Sequence, residues 1–369
     1  MKRKKVNKFF LIIVSLLVFI GVAVFISASL GILAKNANTF YAVLFSQLVL
    51  GLGLGSLGLY VALKIDYKFW RKYSLYVFLV GILATAAVFV PNLGWEHLGA
   101  ERWLKIGPVS FQPVEILKFG FVIYFAAWLS LVKNKVQDFR YRILPLFVML
   151  AVIAGILFNQ PDTKSFILIT ITGICMLFIS GVSLKYITLI GVSSIFVLGS
   201  LVFFTPYLQQ RVKTFLDPSS DPQGSSYQIQ QSLIAIGSGG VFGRGYGQSI
   251  QKFNYLPEPQ GDSIFAVLGE ELGFVGGSII IILYLLFLLQ GIRIANNSPD
   301  LFSRLLVSGI VILIVAQSFM NIASVTGVFP LTGVPLVFVS HGGTSLMVYL
   351  IAIGIVLNVS KFSQQDGQS

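Results

Sequence analysis

Charge is what this sequence has least of. Only 11% of its 369 residues are Asp, Glu, Lys or Arg, while 56% are hydrophobic; a soluble chain of ordinary composition carries about a quarter charged residues. The shortage excludes a soluble globular domain and points to an all-α polytopic membrane protein. Cysteine is down to one, Cys175, inside an apolar run, which excludes an intramolecular disulfide and says little of redox compartment. Acids are scarcer than bases, 14 against 26, for a formal net charge of +12. In a membrane protein such an excess reads as cytoplasmic loops, not as a nucleic-acid footprint.

Apolar runs are what the sequence does have. The first, near 9–31 behind MKRKKVNK, is too long for a signal-peptide core and long enough to span a bilayer, which takes ~20 residues. It is expected to stay as an uncleaved first helix. Others fall near 40–63, 71–91, 114–132, 141–158, 164–182, 185–205, 262–291, 303–325 and 341–360. Ten spans put both termini on one side. That side, with its alternate loops, holds 17 of the 26 basic residues, so it is expected to be cytoplasmic. The outer side holds Lys35, Arg102, Lys105, Lys164, Arg211, Lys213, Arg244 and Lys252, and Lys118 lies inside a helix.

Cytoplasmic connections are short, whereas the outer side carries 91–113, 206–261 and 326–340. The chain reads as one transmembrane domain, 1–369, with 206–261 as a long extracellular loop between helices 7 and 8. Within that loop Ile229, Leu233 and Ile236 stand at i, i+4 and i+7. A helix lying along the membrane surface and a helix packed into the loop's own core both fit this spacing. The glycine-rich GSGGVFGRGYG is not followed by Lys-Ser/Thr and fails as a phosphate-binding loop. No internal repeat is visible.

A charge within a spanning helix costs about 2.5–3.5 kcal/mol on insertion scales and marks function by default. Glu115 and Lys118, three residues apart, share a helical face and can neutralise each other, in a packing or a functional role. Asp262 has no basic residue within one turn and sits at the outer boundary, after the turn LPEPQG. Capping a helix is its bland reading, yet any small polar residue would cap. Glu270 and Glu271 lie about 12 Å farther along a continuous helix, too far for a carboxylate pair with Asp262, and an interhelical structural role is expected for them. Arg102, Arg211, Lys213 and Lys252, as a group, suit an anionic headgroup such as a pyrophosphate. A divalent cation, Mg or Mn, with Asp262 or Asp162 as oxygen ligand, stays open; no ligand cluster is evident.

Four blocks, GAERWLKIGPVSFQPVEILKF, NQPD, SLIAIGSGGVFGRGYGQSIQKFNYLPEPQGDSIFAVLGEELGFVG and NIASVTGVFPLTGVPLVFVSHGGTSL, resemble the SEDS family of bacterial glycan polymerases, over residues 10 to 361. The glycines, Gln251-Lys252 and YLPEP are closer to its division branch, FtsW, than to its elongation branch, RodA. The resemblance implies a peptidoglycan glycosyltransferase of the bacterial cytoplasmic membrane, with its active site on the outer face. It would join lipid II to a nascent glycan strand and release undecaprenyl diphosphate. Its implied partners are a class B penicillin-binding transpeptidase, other division or elongation complex proteins and membrane lipid, with no nucleic acid. The family's catalytic acid falls on Asp262, expected to act as general base; Glu115, Lys118, Asp162, Arg102 and Trp103 match further family positions. Lys105 and Ser340 complete the expected substrate contacts. The chain departs from the family at Gln260-Gly261, usually His-Thr; at Thr163-Lys164-Ser165, usually Leu-Gly-Thr; and at His341, usually Tyr. The rival readings are a flippase of lipid-linked precursors and a non-catalytic scaffold of the division complex.

Overall fold

The computed structural model describes residues 6–91, 93–97, 100–106, 109–135, 138–217 and 226–362. Helix α1 (Lys8–Leu33) is followed by one long helix in three parts: α2 (Ala37–Phe45), a π-helical stretch (Ser46–Leu54) and α3 (Gly55–Lys64). Next come α4 (Tyr67–Lys72) and α5 (Ser74–Ala86), then a small sheet of β1 (Gly94–His97), β2 (Ala100–Ile106) and β3 (Val109–Phe111). The remaining helices are α6 (Val114–Leu131), α7 (Phe139–Leu157), α8 (Thr163–Ile179), α9 (Leu184–Phe204), α10 (Pro206–Leu216), α11 (Tyr227–Gly239), α12 (Ile264–Asn296), α13 (Leu301–Val325) and α14 (Gly343–Ser360). Among the described residues, eight helices are long and apolar enough to cross a membrane, and Ser74–Phe89 and Thr163–Ile179 are shorter apolar helices. The ten apolar runs of the sequence therefore all fold as helices, because a backbone in hydrocarbon must satisfy its own hydrogen bonds.

The bundle has an inside and a lipid side. Helices α6, α13 and α14 are mostly enclosed, whereas α9 is almost wholly exposed. At the centre the expected pair forms: Lys118 Nζ lies 2.7 Å from Glu115 Oε2, both buried. Tyr349 Oη donates to Glu115 at 2.7 Å, and Lys118 donates to Gln317 Oε1 at 2.7 Å, so one ionic cluster ties α6 to α13 and α14. Breaking such a pair by removing one partner costs about 3–5 kcal/mol.

The sheet is antiparallel in the order β1-β2-β3, with Trp95 opposite Trp103 and Leu104 opposite Phe111. The long loop 206–261 contains α10 and α11; its residues 218–225 lie outside the described set. Helix α11 packs on α12 through Ile229, Ser232, Ala235 and Gly239, leaving Leu233 and Ile234 exposed. Its buried face thus packs on α12 one position off the face the apolar spacing suggested, and an apolar pair remains on its open face.

Helix α12 is not continuous. Gly273, at φ 66° and ψ −163°, breaks it into 264–272 and 274–296. This region of backbone space is essentially restricted to glycine. The glycine-rich stretch closes the break: Arg244 and Gly245 N–H donate to the Glu270 and Glu271 carbonyls, and Phe274 and Val275 N–H donate to Gly240 and Val241. That is what GSGGVFGRGYG does. Glu270 and Glu271 consequently sit at the end of a short helix, not midway down a long one.

Candidate active site

Asp262 occupies the turn just before α12, and three bonds fix that turn to the 326–342 loop. Asn321 of α13 donates from one amide to both the Asp262 and the Val334 carbonyls, each at 2.7 Å. Ser340 Oγ donates to the Gly261 carbonyl at 2.8 Å and accepts from Leu336 N–H at 2.8 Å. His341 N–H donates to the Gln260 carbonyl at 2.7 Å. The far side of the loop is held by Gln47 of the π-helical stretch, which accepts from Gly342 N–H at 2.9 Å and donates to the Ser340 carbonyl at 3.2 Å. Such π-helical turns in otherwise α-helical spans recur beside functional sites.

The backbone of Asp262 is tied down, but its carboxylate is not. Among the described residues it has no hydrogen bond and no ion-pair partner within 4.0 Å, and the side chain is partly exposed. Gly333, at φ 63°, presses against it: a Cβ there would lie 2.9 Å from Asp262 Oδ2 and 3.7 Å from Lys164 Nζ. Lys164 Nζ donates to the Gly333 carbonyl. Carboxylate and ammonium thus flank one glycine, farther apart than an ion pair and close enough to share a bound group.

Two guanidinium groups extend this arrangement. Arg211 donates to the Leu331 carbonyl and stacks on Tyr207, 4.6 Å from the ring centroid. Burial lowers the Arg211 pKa, the Arg102 charge adds to that, and the nearby Tyr207 and Asp262 charges oppose it. Arg102 donates to the Gln160 and Pro161 carbonyls at 3.0 and 2.6 Å. Arg102, Lys164 and Arg211 are each anchored on backbone oxygen, and among the described residues none has an acid within ion-pair distance, so each is free to face an anionic ligand. Around the same loops Gln260 Oε1, Asn321 Oδ1, Thr332 Oγ1 and His341 Nε2 are buried with no hydrogen-bond partner among the described residues. Buried polar atoms are rarely left so, and a polar ligand or water completes them.

Other expected site residues fall elsewhere. Lys252 is fully buried, 2.8 Å from Glu271 Oε1, and also bonded to Ser27 and the Gly247 carbonyl. It stabilises the broken helix and is not available to an outer headgroup. Glu270 accepts from Ser249 Oγ and from the Ile250 and Gln251 N–H groups, so its role is structural but ties helix to loop, whereas Glu271 accepts from Ser27 Oγ of α1 at 2.7 and 2.8 Å and is interhelical as expected. Asp162, 1% exposed, caps α8 and accepts from Ser165 Oγ at 2.8 Å. It shapes the turn that presents Lys164. Ser340 orders the Asp262 turn through its own hydrogen bonds. Lys213 is exposed two residues past Arg211, about 200° around the helix. Trp103 and Lys105 sit in β2, with Lys105 exposed over the Trp95 ring at 5.8 Å.

Sequence reasoning passed over Lys164 as a site residue, although its place in the departure from Leu-Gly-Thr was the available signal. A resident metal does not suit this donor set. Among the described residues no three His, Cys, Asp or Glu side chains gather into a ligand group. Asp162 is committed to its cap, and Asp262 has Lys164 across Gly333 and the Arg211 charge near it.

The family described as "Cell cycle protein" (FtsW/RodA/SpoVE) matches residues 7–365. Stage V sporulation protein E of Bacillus subtilis is 38% identical over 312 residues, 85% of each chain. A protein of Geobacter sulfurreducens named "Probable peptidoglycan glycosyltransferase FtsW" is 37% identical over 361 residues, covering 97% of this chain and 96% of that one. Among solved structures, a chain from work on polymerization and crosslinking by a peptidoglycan synthase complex superposes with a TM-score of 0.80 at 26% identity, covering 98% of this chain and 99% of that one. The rod shape determining protein RodA of Thermus thermophilus superposes with a TM-score of 0.70 at 24% identity, covering 98% of each. On these matches and on its ten apolar helices, this multi-pass membrane protein belongs to the FtsW/RodA/SpoVE family.

Proposed function

We propose that the chain is a peptidoglycan glycosyltransferase that polymerises lipid II on the outer face of the cytoplasmic membrane, with Asp262 as general base. The relatives named as glycosyltransferases support the reaction class. The observation that carries the residue assignment is the carboxylate of Asp262, unpaired among the described residues, beside Lys164 and near Arg211, with Arg102 next to Arg211, each cation anchored on carbonyl oxygen.

The chemistry follows from that charge pattern. The acceptor sugar's 4-hydroxyl oxygen bonds to the donor's anomeric carbon as the bond from that carbon to the pyrophosphate oxygen breaks. The hydroxyl proton passes to an Asp262 oxygen, and the electron pair of the broken bond leaves with undecaprenyl diphosphate. An unpaired carboxylate is the base such a transfer needs, and fixed cations stabilise charge developing on the leaving group without reorganising. Arg102, Lys164 and Arg211 take that second role. Trp103, Lys105 and Lys213 line the outer approach to the site in this reading, and the working partner is a class B penicillin-binding transpeptidase.

The test is reconstitution with purified lipid II, together with the cognate transpeptidase. Asp262→Asn keeps the backbone bonds of the turn, so the variant should insert and fold yet lose about 10²- to 10⁴-fold in glycan formation. Wild-type polymerisation by that variant would remove the base assignment. Movement of lipid II between leaflets without glycan product would favour a flippase, and neither activity would favour a scaffold.

A further inference from the structure

The end of the molecule farthest from Asp262 carries a second, separate arrangement. Asn321 contacts the Asp262 turn, while Asp300, just before the other end of α13, accepts from Tyr67 Oη of α4 at 3.0 Å. The intervening helix places α4 about 30 Å from Asp262. Both ends of the described chain lie near α4: Tyr67 N–H donates to Asn358 at 3.0 Å, and Asn7 N–H donates to Ser360 at 3.2 Å.

Here a cleft of about 320 Å³ opens between α4, the start of α5 and the C-terminal half of α6. One wall is cationic, made by Lys68, Arg71 and Lys72. None of the three has an ion-pair partner within 4.0 Å among the described residues. The nearby acids are engaged: Asp66 caps α4 by accepting from Lys68 N–H, Asp138 caps α7, and Asp300 accepts from Tyr67 and Ser303. The floor is Ser74, the first residue of α5. That helix starts without a side-chain cap, and its first backbone hydrogen bond runs from Val77 N–H to the Tyr73 carbonyl at 3.1 Å. The amides of residues 74–76 therefore stand at the open end, where helices favour anions. The opposite wall is Tyr124, Ala127, Trp128 and Leu131 of α6, with Leu131 69% exposed and the Trp128 indole N–H held by the Tyr141 carbonyl.

We propose that this cleft binds an anionic phospholipid from the leaflet on the side of both ends of the described chain. The phosphate lies against Ser74 and the three cations, and an acyl chain runs along the aromatic and aliphatic wall of α6. Free phosphate would use the cations alone; the adjoining wall of Trp128, Tyr124 and exposed Leu131 is what selects a lipid. Basic groups at a membrane surface and amphipathic aromatics at headgroup depth are the two elements of such recognition. The site is independent of the catalytic assignment.

Purified full-length protein in neutral detergent would be titrated with brominated-chain phosphatidylglycerol, or with the phosphatidylcholine analogue, and read by tryptophan quenching and by native mass spectrometry. Phosphatidylglycerol should bind and survive as an adduct where phosphatidylcholine does not. Lys68→Gln/Arg71→Gln/Lys72→Gln should weaken it roughly a hundredfold, and Ser74→Glu, which sets a carboxylate at the phosphate position, should weaken it too. Lys68→Arg/Lys72→Arg should retain it. So should Lys8→Gln/Lys185→Gln/Arg304→Gln, which removes as many charges elsewhere. Each variant is first checked for wild-type elution as a folded particle. Equal binding of the two lipids, undiminished binding by both the triple Gln and Ser74→Glu variants, or displacement of the lipid by millimolar inorganic phosphate would each overturn the proposal.

Discussion

At the scale of single residues, the site is defined by which charges remain unneutralised. Arg102, Arg211, Lys213 and Lys252 looked equivalent in sequence, as loop cations that together suit one anionic headgroup. The fold separates them. Lys252 finds Glu271 nineteen residues away, a pairing no helical period reveals, whereas Arg211, among the described residues, finds carbonyl oxygen and an aromatic ring but no acid within ion-pair distance. Glu115 and Lys118 were legible because i, i+3 neighbours meet on any helix. Lys164 yields the residue-scale prediction. Lys164→Gln can still donate to the Gly333 carbonyl but has no charge, so glycan formation should fall about 10²-fold if the charge holds the leaving group, while Lys164→Arg should stay near wild type. Full activity in the Gln variant, measured as steady-state lipid II consumption, would reduce Lys164 to a loop tether.

Elements carry the parts that sequence reading missed. The apolar runs were legible because a bilayer demands their length; the break within α12 was not, since ELGFVGG is an ordinary sequence for a spanning helix. Only contact with residues 240–245 distinguishes Gly273 from any other glycine. Its positive φ costs a side-chain-bearing residue about 1–3 kcal/mol, and a Cβ would in addition overlap the Gly243 nitrogen. Gly273→Ala should therefore lower stability by at least about 2 kcal/mol, seen as a fall of several degrees in the thermal midpoint of the detergent-solubilised protein. An unchanged midpoint would mean that the break closes into continuous helix at little cost. Asp162 shows the same limit: a buried cap and a substrate acid read alike in the string NQPD until Ser165 is seen to donate to the carboxylate.

For the whole molecule, the asymmetry of basic residues becomes a statement about two ends. Asp262, Arg102, Lys164 and Arg211 gather at one, α4 and both ends of the described chain at the other. With Cys175→Ser as background, Lys213→Cys should react with a membrane-impermeant maleimide on intact cells, and Lys72→Cys only after permeabilisation. The reverse pattern would turn the molecule over and place sugar transfer on the wrong side for a wall polymer. The bundle was foreseeable as ten helices, but its arrangement rests on contacts between distant segments, such as Gln47 with the 340–342 turn. That last contact has a dynamic consequence. Both polar atoms of one amide grip the same turn, so the turn cannot swing alone without stranding them dry. Any breathing of the loop beneath Asp262 therefore pulls on the 37–64 helix, which buries little of its surface in the bundle, and the loop's motion is expected to respond to bilayer thickness.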